Sequence, residues 1–321
     1  MTRHAVHMND VVVAAEGLRC AYGSFVAVRD VEFSVRQGEM FALLGTNGAG
    51  KTTTMETLEG HRPPTSGTVR VLGRDPYRER AFVHARCGIM LQSGGFAGDL
   101  TVRETARMWS GVVSRKSDVD ELFERLGLAH RAGVRVKQLS GGEQRRLDLV
   151  LAALGGPEVL FLDEPTTGLD PESRQTTWEL VEELLAEGTT VVLTTHYLEE
   201  AERLAHRLAI MHEGRIAVEG SLADVLGRYR ARIDFRVATP DGTVPPVPPT
   251  PPGLLGDVDL TSYADGYVGI ATDDLQSDLE RVLAWARAQE LRLHGLSARH
   301  ASLDEVFRDV VESTNPVEVA A

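Results

Sequence analysis

The run GTNGAGKTT, from Gly45 through Thr46, Asn47, Gly48, Ala49, Gly50, Lys51 and Thr52 to Thr53, has the residue types and spacing to grip a polyphosphate. It satisfies G-x-x-x-x-G-K-[ST], in which glycines let backbone amides close around a β-phosphate at the positive end of a helix. Lys51 supplies a point charge for the β- and γ-phosphates, and the Thr52 hydroxyl is an oxygen donor for Mg²⁺. Further along, VLFLDEP ends an apolar strand in two adjacent acids, Asp163 and Glu164. Two carboxylates there repel each other and are costly to bury unless a cation or hydrogen bonds offset them. Asp163 therefore reads as a magnesium ligand and Glu164 as the carboxylate that polarises an attacking water.

These groups work only if the elements around them deliver them to one place. The strand MFALL at 40–44 leads directly into the glycine run, and a helical segment follows it to near Pro63. CGIMLQ at 87–92, VLFLD at 159–163, TTVVLTT at 189–195 and RLAIM at 207–211 are short, unalternating and rich in branched residues. Strands covered on both faces look like this, and helices between them point to a parallel α/β sheet. Residues 11–44 read as several short strands, and TVRETARMW, VDELFERLGL and EQRRLDLVLAAL place a helical subdomain at about 95–155. Proline crowds PDGTVPPVPPTPPG, so 240–256 is expected to be an exposed linker or loop. Around it, RIDFRV, YVGIAT and LRLHGL read as strands. A helix capped by Thr272, Asp273 or Asp274 and a Ser302/Glu305 capping box complete a small α+β domain. The expected division is 1–228 and 229–321.

Length and composition narrow the classes. The 321 residues suffice for about two domains, with 42% hydrophobic and 25% charged residues, an ordinary globular balance. Lys and Arg number 34 against 47 Asp and Glu, leaving a charge of −13, the wrong sign for bulk nucleic-acid or anionic-membrane binding. No window is apolar enough to span a bilayer, since even Leu147–Leu162 is broken by charges and glycines. The N-terminus lacks a secretory pattern, so a cytosolic chain is expected, with Cys20 and Cys87 as small buried residues. There is no CxxC, HExxH or GxSxG.

LSGGEQ at Leu139–Gln144, followed by VLFLDEP, TTGLD and TTH, resembles the nucleotide-binding domain of ABC transporters over residues 11 to about 225. The resemblance implies a P-loop NTPase fold, with a RecA-like core, a β subdomain and a helical subdomain, binding ATP and Mg²⁺. It implies that Tyr22 stacks on adenine, that Gln92 is the Q-loop residue near Mg²⁺ and the γ-phosphate, and that His196 is the switch histidine. Ser140, Gly141, Gly142 and Glu143 would be the signature that completes an opposing subunit's ATP site, and Asp170 the D-loop acid. Read by themselves, Tyr22 also suits a strand-edge aromatic, Gln92 a surface amide and His196 a satisfied buried histidine. Asp170 before Pro171 is equally a good N-cap. Thr46, where the family often has proline, and Glu143 and Gln144 depart from the usual pattern without removing a phosphate contact.

DLTVRET, RRLDLVLAALGGPEVLFLDEPTTGLD and SLDEVF are similar to the ATP-binding subunits of multidrug and antibiotic exporters, in particular the daunorubicin/doxorubicin resistance (DrrA-like) family. One P-loop and one signature imply half of a two-site homodimer. The partner implied is an integral membrane permease encoded separately, which would hold the subunit peripherally on the inner face of the cell membrane. The alternatives are an ABC-type ATPase acting on ribosomes or DNA, or a regulatory module without turnover. Neither paired cassettes nor a long coiled coil is present for the first, and Glu164 and His196 weigh against the second.

Overall fold

Two twelve-residue strands, β1 (Val11–Tyr22) and β2 (Phe25–Arg36), occupy the stretch where several short strands are expected. They can run this long because their antiparallel pairing is interrupted, as between Ala15 and Leu18, and such bulges bend a strand over a core. A computed structural model describes residues 10–91, 95, 97–111, 113, 118–245, 253, 257–259 and 265–313. Its contacts divide the chain into Met1–Leu222 and Ala223–Ala321.

In the first unit β3 (Met40–Gly45) is wholly buried and feeds α1 (Lys51–Leu58). Next come β4 (Ser66–Val71), α2 (Arg80–His84) and β5 (Cys87–Met90), then the helices α3 (Val102–Ser110), α4 (Val119–Arg125) and α5 (Gly141–Ala153). The rest is β6 (Val159–Asp163), α6 (Pro171–Ala186), β7 (Thr190–Thr195), α7 (Leu198–Leu204), β8 (Arg207–His212) and β9 (Arg215–Gly220), with α8 (Leu222–Leu226) at the division. The main sheet has the order β5-β6-β7-β3-β8-β9, parallel except for β9. A second sheet, β2-β1-β4, is antiparallel.

The sequence pattern predicts neither β4 nor β9. In β4, Val69 and Val71 are buried while Thr68 and Arg70 are exposed, a two-residue alternation too short to stand out. β9 lies at the sheet edge, where antiparallel pairing with β8 adds a strand the parallel pattern does not require. The core runs between the two sheets, with Phe33 and Phe41 stacked at 5.0 Å between ring centres.

The second unit contains β10 (Ala231–Ala238), β11 (Asp257–Asp259), β12 (Tyr267–Thr272), α9 (Leu275–Ala288), β13 (Arg292–Arg299) and α10 (Leu303–Ser313). Its antiparallel sheet has the order β11-β12-β10-β13. Ile233, Phe235, Val268 and Ile270 form a core with Val282 and Trp285 of α9. The proline-rich stretch lies between two strands of this sheet, β10 and β11, and residues 246–252 and 254–256 of the expected loop lie outside the described residues. Asp274 caps α9 by accepting from the Ser277 amide. Ser302 and Glu305 exchange the two bonds of a capping box, and the Arg299 guanidinium on Glu305 holds that carboxyl down at about 2. Among the described residues no helix is long and apolar enough to cross a membrane.

Candidate functional site

The loop after β3 is wedged between β2 and β8, which explains two of its glycines. A Cβ on Gly45 would stand 2.5 Å from the Met211 carbonyl oxygen, and one on Gly50 would stand 2.6 Å from that of Ala27. Gly50 also has φ 102°, a left-handed conformation that glycine adopts without steric cost, and it is the N-cap of α1. The turn is closed by the Ala49 amide donating to Thr46 O. Lys51, the first helical residue, is buried and donates through Nζ to Gly45 O at 2.7 Å and Thr46 O at 3.2 Å. The loop opens onto a hollow of about 340 Å³, lined by Asn47, Gly48, Lys51, Thr52, Thr53 and Glu164 together with Tyr22 and Phe25.

The acids arrive from β6. Asp163 ends that strand in register with Thr194 of β7, and the Thr194 hydroxyl donates to its Oδ1. Burial, with the charge of Glu164, pushes the Asp163 carboxyl up against the hydrogen bonds of Thr194 and Thr52 and the charge of Lys51, and burial pushes the Lys51 ammonium down against the charges of Glu164 and Asp163. Thr52 and Asp163 thus present two hydrogen-bonded hard oxygen donors side by side, a donor set that fits Mg²⁺ completed by water and phosphate oxygens.

Glu164 leaves the strand with φ 51°, a left-handed conformation that costs a side-chain-bearing residue about 1–3 kcal/mol and must be held by its surroundings. Its amide donates to Thr194 O at 3.0 Å, Oε2 accepts from Thr167 at 3.3 Å, and His196 Nδ1 lies 3.3 Å from Oε1. His196 follows β7 and is half-exposed, its ring resting on Tyr197 at 4.2 Å. The neighbouring carbonyls are held from the helical subdomain. Arg145 of α5, buried, donates to the carbonyl oxygens of Asp163, Glu164 at 2.7 Å and Pro165 at 3.3 Å, and through Nη1 to Leu91 O at 2.6 Å.

The structure therefore joins Lys51, Thr52, Asp163, Glu164 and His196, and sets Tyr22 at the rim. The signature residues and Asp170 are not among the residues lining this hollow. Ser140 caps α5, its side chain accepting from the Glu143 amide at 3.2 Å, and Glu143 returns to the Ser140 amide at 2.8 Å and pairs with Arg131 at 2.6 Å. Asp170 caps α6 on Ser173. Gln92 lies outside the described residues. Sequence reading misses Thr194, Thr167 and Arg145. The only local signal for Arg145 is a cation at a position of α5 that proves buried, within EQRR, where the adjacent Arg146 is less buried.

The ABC transporter family matches residues 28–167, and the ABC transporter domain-containing protein-like C-terminal domain matches residues 231–302. Daunorubicin resistance ATP-binding protein DrrA3 of Streptomyces coeruleorubidus is 34% identical over 323 residues, covering 98% of this chain and 100% of its own. Nod factor export ATP-binding protein I of Paraburkholderia xenovorans is 42% identical over 219 residues, 67% of this chain and 72% of that one. A solved ATP-binding subunit of an ABC transporter superposes with a TM-score of 0.63 at 28% identity, over 68% of this chain and 92% of the other. With a full-length relative, two matching family domains and a phosphate loop facing paired acids, the chain belongs to the ATP-binding subunits of ABC transporters, which bind and hydrolyse ATP to drive transport.

Proposed function

We propose that the subunit powers efflux of a drug-like, antibiotic or other hydrophobic compound through a separately encoded permease, working as a homodimer on the inner face of the cell membrane. The observation that carries this is that Lys51, Thr52 and Glu164 line one hollow, with Asp163 bonded to Thr52 and His196 beside Glu164, in a chain whose named relatives are drug-resistance and export subunits. Lys51 and the loop amides take the β- and γ-phosphates, and Thr52 and Asp163 hold Mg²⁺, which neutralises phosphate charge. Glu164 accepts a proton from the attacking water, while His196 bridges Glu164 and the γ-phosphate. Gln92 is assigned to the metal and to relaying motion. The site is closed by the Ser140–Glu143 end of a second copy's α5, with Asp170 at the junction.

The expected results are magnesium-dependent retention of labelled ATP in equilibrium dialysis and co-purification from membranes with a polytopic protein. No ATP retained, or recovery with ribosomes, would reject the assignment.

The domain boundary has its own test. Because β10 pairs with both β12 and β13, a cut at residue 257 strands Ile233, Phe235 and Val237 without partners, whereas a cut after 228 removes the whole sheet. The 1–228 fragment is expected to bind ATP like the full chain and to fail in export, and the 1–256 fragment to aggregate. Lost ATP binding by 1–228 in dialysis would move the boundary.

A further inference from the structure

Tyr22 is the last residue of β1, 50% exposed, and its hydroxyl has only long contacts, 3.4 Å to Thr53 Oγ1 and 3.5 Å to Glu56 Oε2. Its ring is held instead from one face. The Arg62 guanidinium carbon lies 3.9 Å from the ring centre, and Nη2 donates to Ala21 O at 3.4 Å. Arg62 precedes Pro63, which restricts its backbone to extended conformations and gives the long side chain a fixed root. Nε and Nη1 are shielded from solvent without an acceptor, and no carboxylate among the described residues is within ion-pair distance of Arg62. A charge kept this way costs desolvation, so the aromatic face is its principal compensation.

Tyr22 also borders two separate hollows. The ring contributes to the phosphate-loop hollow, to which Arg62 does not, and to a second hollow lined by Arg62, Pro63, Pro64 and Glu56. Tyr22 is thus the partition between them.

We infer that Arg62 is a positioning residue for the nucleobase: it fixes the Tyr22 ring from behind and leaves the opposite face free for the purine of ATP. A planar guanidinium stacks on a ring as an ammonium cannot, and the cation draws π density away from the free face. That face then stacks better on an electron-rich base. The inference rests on the assignment of Tyr22 as the base platform.

The test is a double-mutant cycle between Arg62→Ala and Tyr22→Leu in the full chain, reading KM and kcat for ATP and inhibition by inorganic tripolyphosphate, which has no base. Arg62→Ala is expected to raise KM for ATP about 5- to 10-fold with little change in kcat, the size of a partly desolvated cation–π contact. Inhibition by tripolyphosphate stays as in the wild type, Arg62→Lys recovers only part of the loss, and Arg62→Ala adds nothing once Tyr22 is leucine. An unchanged KM, an equal weakening of tripolyphosphate, or additivity with Tyr22→Leu overturns the role of Arg62. If Tyr22→Leu itself leaves KM unchanged, the base-platform assignment falls and this inference with it. Should Arg62→Ala not fold, Arg62→Gln removes the charge while keeping most of the side chain, and carries the same expectations.

Discussion

Glu164→Gln is expected to slow ATP hydrolysis by about 10²- to 10⁴-fold, the range of a lost general base, while ATP still binds. The substitution keeps the shape of the side chain and its reach toward Thr167 and His196. It removes the negative oxygen that accepts a proton from water. Lys51, Thr52 and Asp163, which are assigned to the phosphates and the metal, stay in place, so the ground-state complex is preserved and only the step that needs a base is lost. Filter binding beside steady-state phosphate release separates the two effects. Turnover within threefold of the wild type would remove Glu164 from that role.

Arg145→Met is the second large effect. Arg145 serves four carbonyl oxygens from a buried position, three of them consecutive at the end of β6. Methionine fills much of the volume but donates nothing; Glu164 O keeps the Thr167 amide and Leu91 is exposed, so the loss falls mainly on the Asp163 and Pro165 carbonyls, at about 1–3 kcal/mol for each left buried without a partner. With partial relaxation the loss is of the order of 3–5 kcal/mol, which for a unit of this size lowers Tm by about 6–20 °C. Arg145→Lys keeps the charge but cannot fork to four acceptors, so it should lose less stability. It should nevertheless lose about tenfold or more in kcat, because the left-handed turn that aims the Glu164 carboxylate is no longer pinned at its carbonyl. Calorimetry and kcat on the two variants check this. An unaltered Tm in Arg145→Met, or an unaltered kcat in Arg145→Lys, would show that the clamp does not position Glu164.

The phosphate loop is legible in the chain because its parts are contiguous: a buried strand, glycines where β2 and β8 approach, and a helix start at Lys51. The Asp163–Glu164 pair is legible for a related reason, since two acids ending an apolar strand are costly without a task. Caps behave likewise. Asp170 with Pro171, Asp274, and Ser302 with Glu305 form as expected, because each bond spans three residues. The strands β4 and β9 are harder to read, being short and at sheet edges where no continuous apolar run is needed.

By itself the sequence determined that a polyphosphate grip, a paired acid and a helix following the signature exist, because each is written in adjacent residues whose backbone preferences are local. Only the tertiary structure decided which groups meet. Thr194 reaches Asp163 through the register of β6 with β7, and Arg145 crosses from α5 to the end of β6. Arg62 comes to lie behind Tyr22 because α1 and the turn before Pro63 return the chain to the end of β1. Such meetings depend on how segments tens of residues apart pair and pack. Short-range propensity does not encode that pairing, and the folded core imposes it.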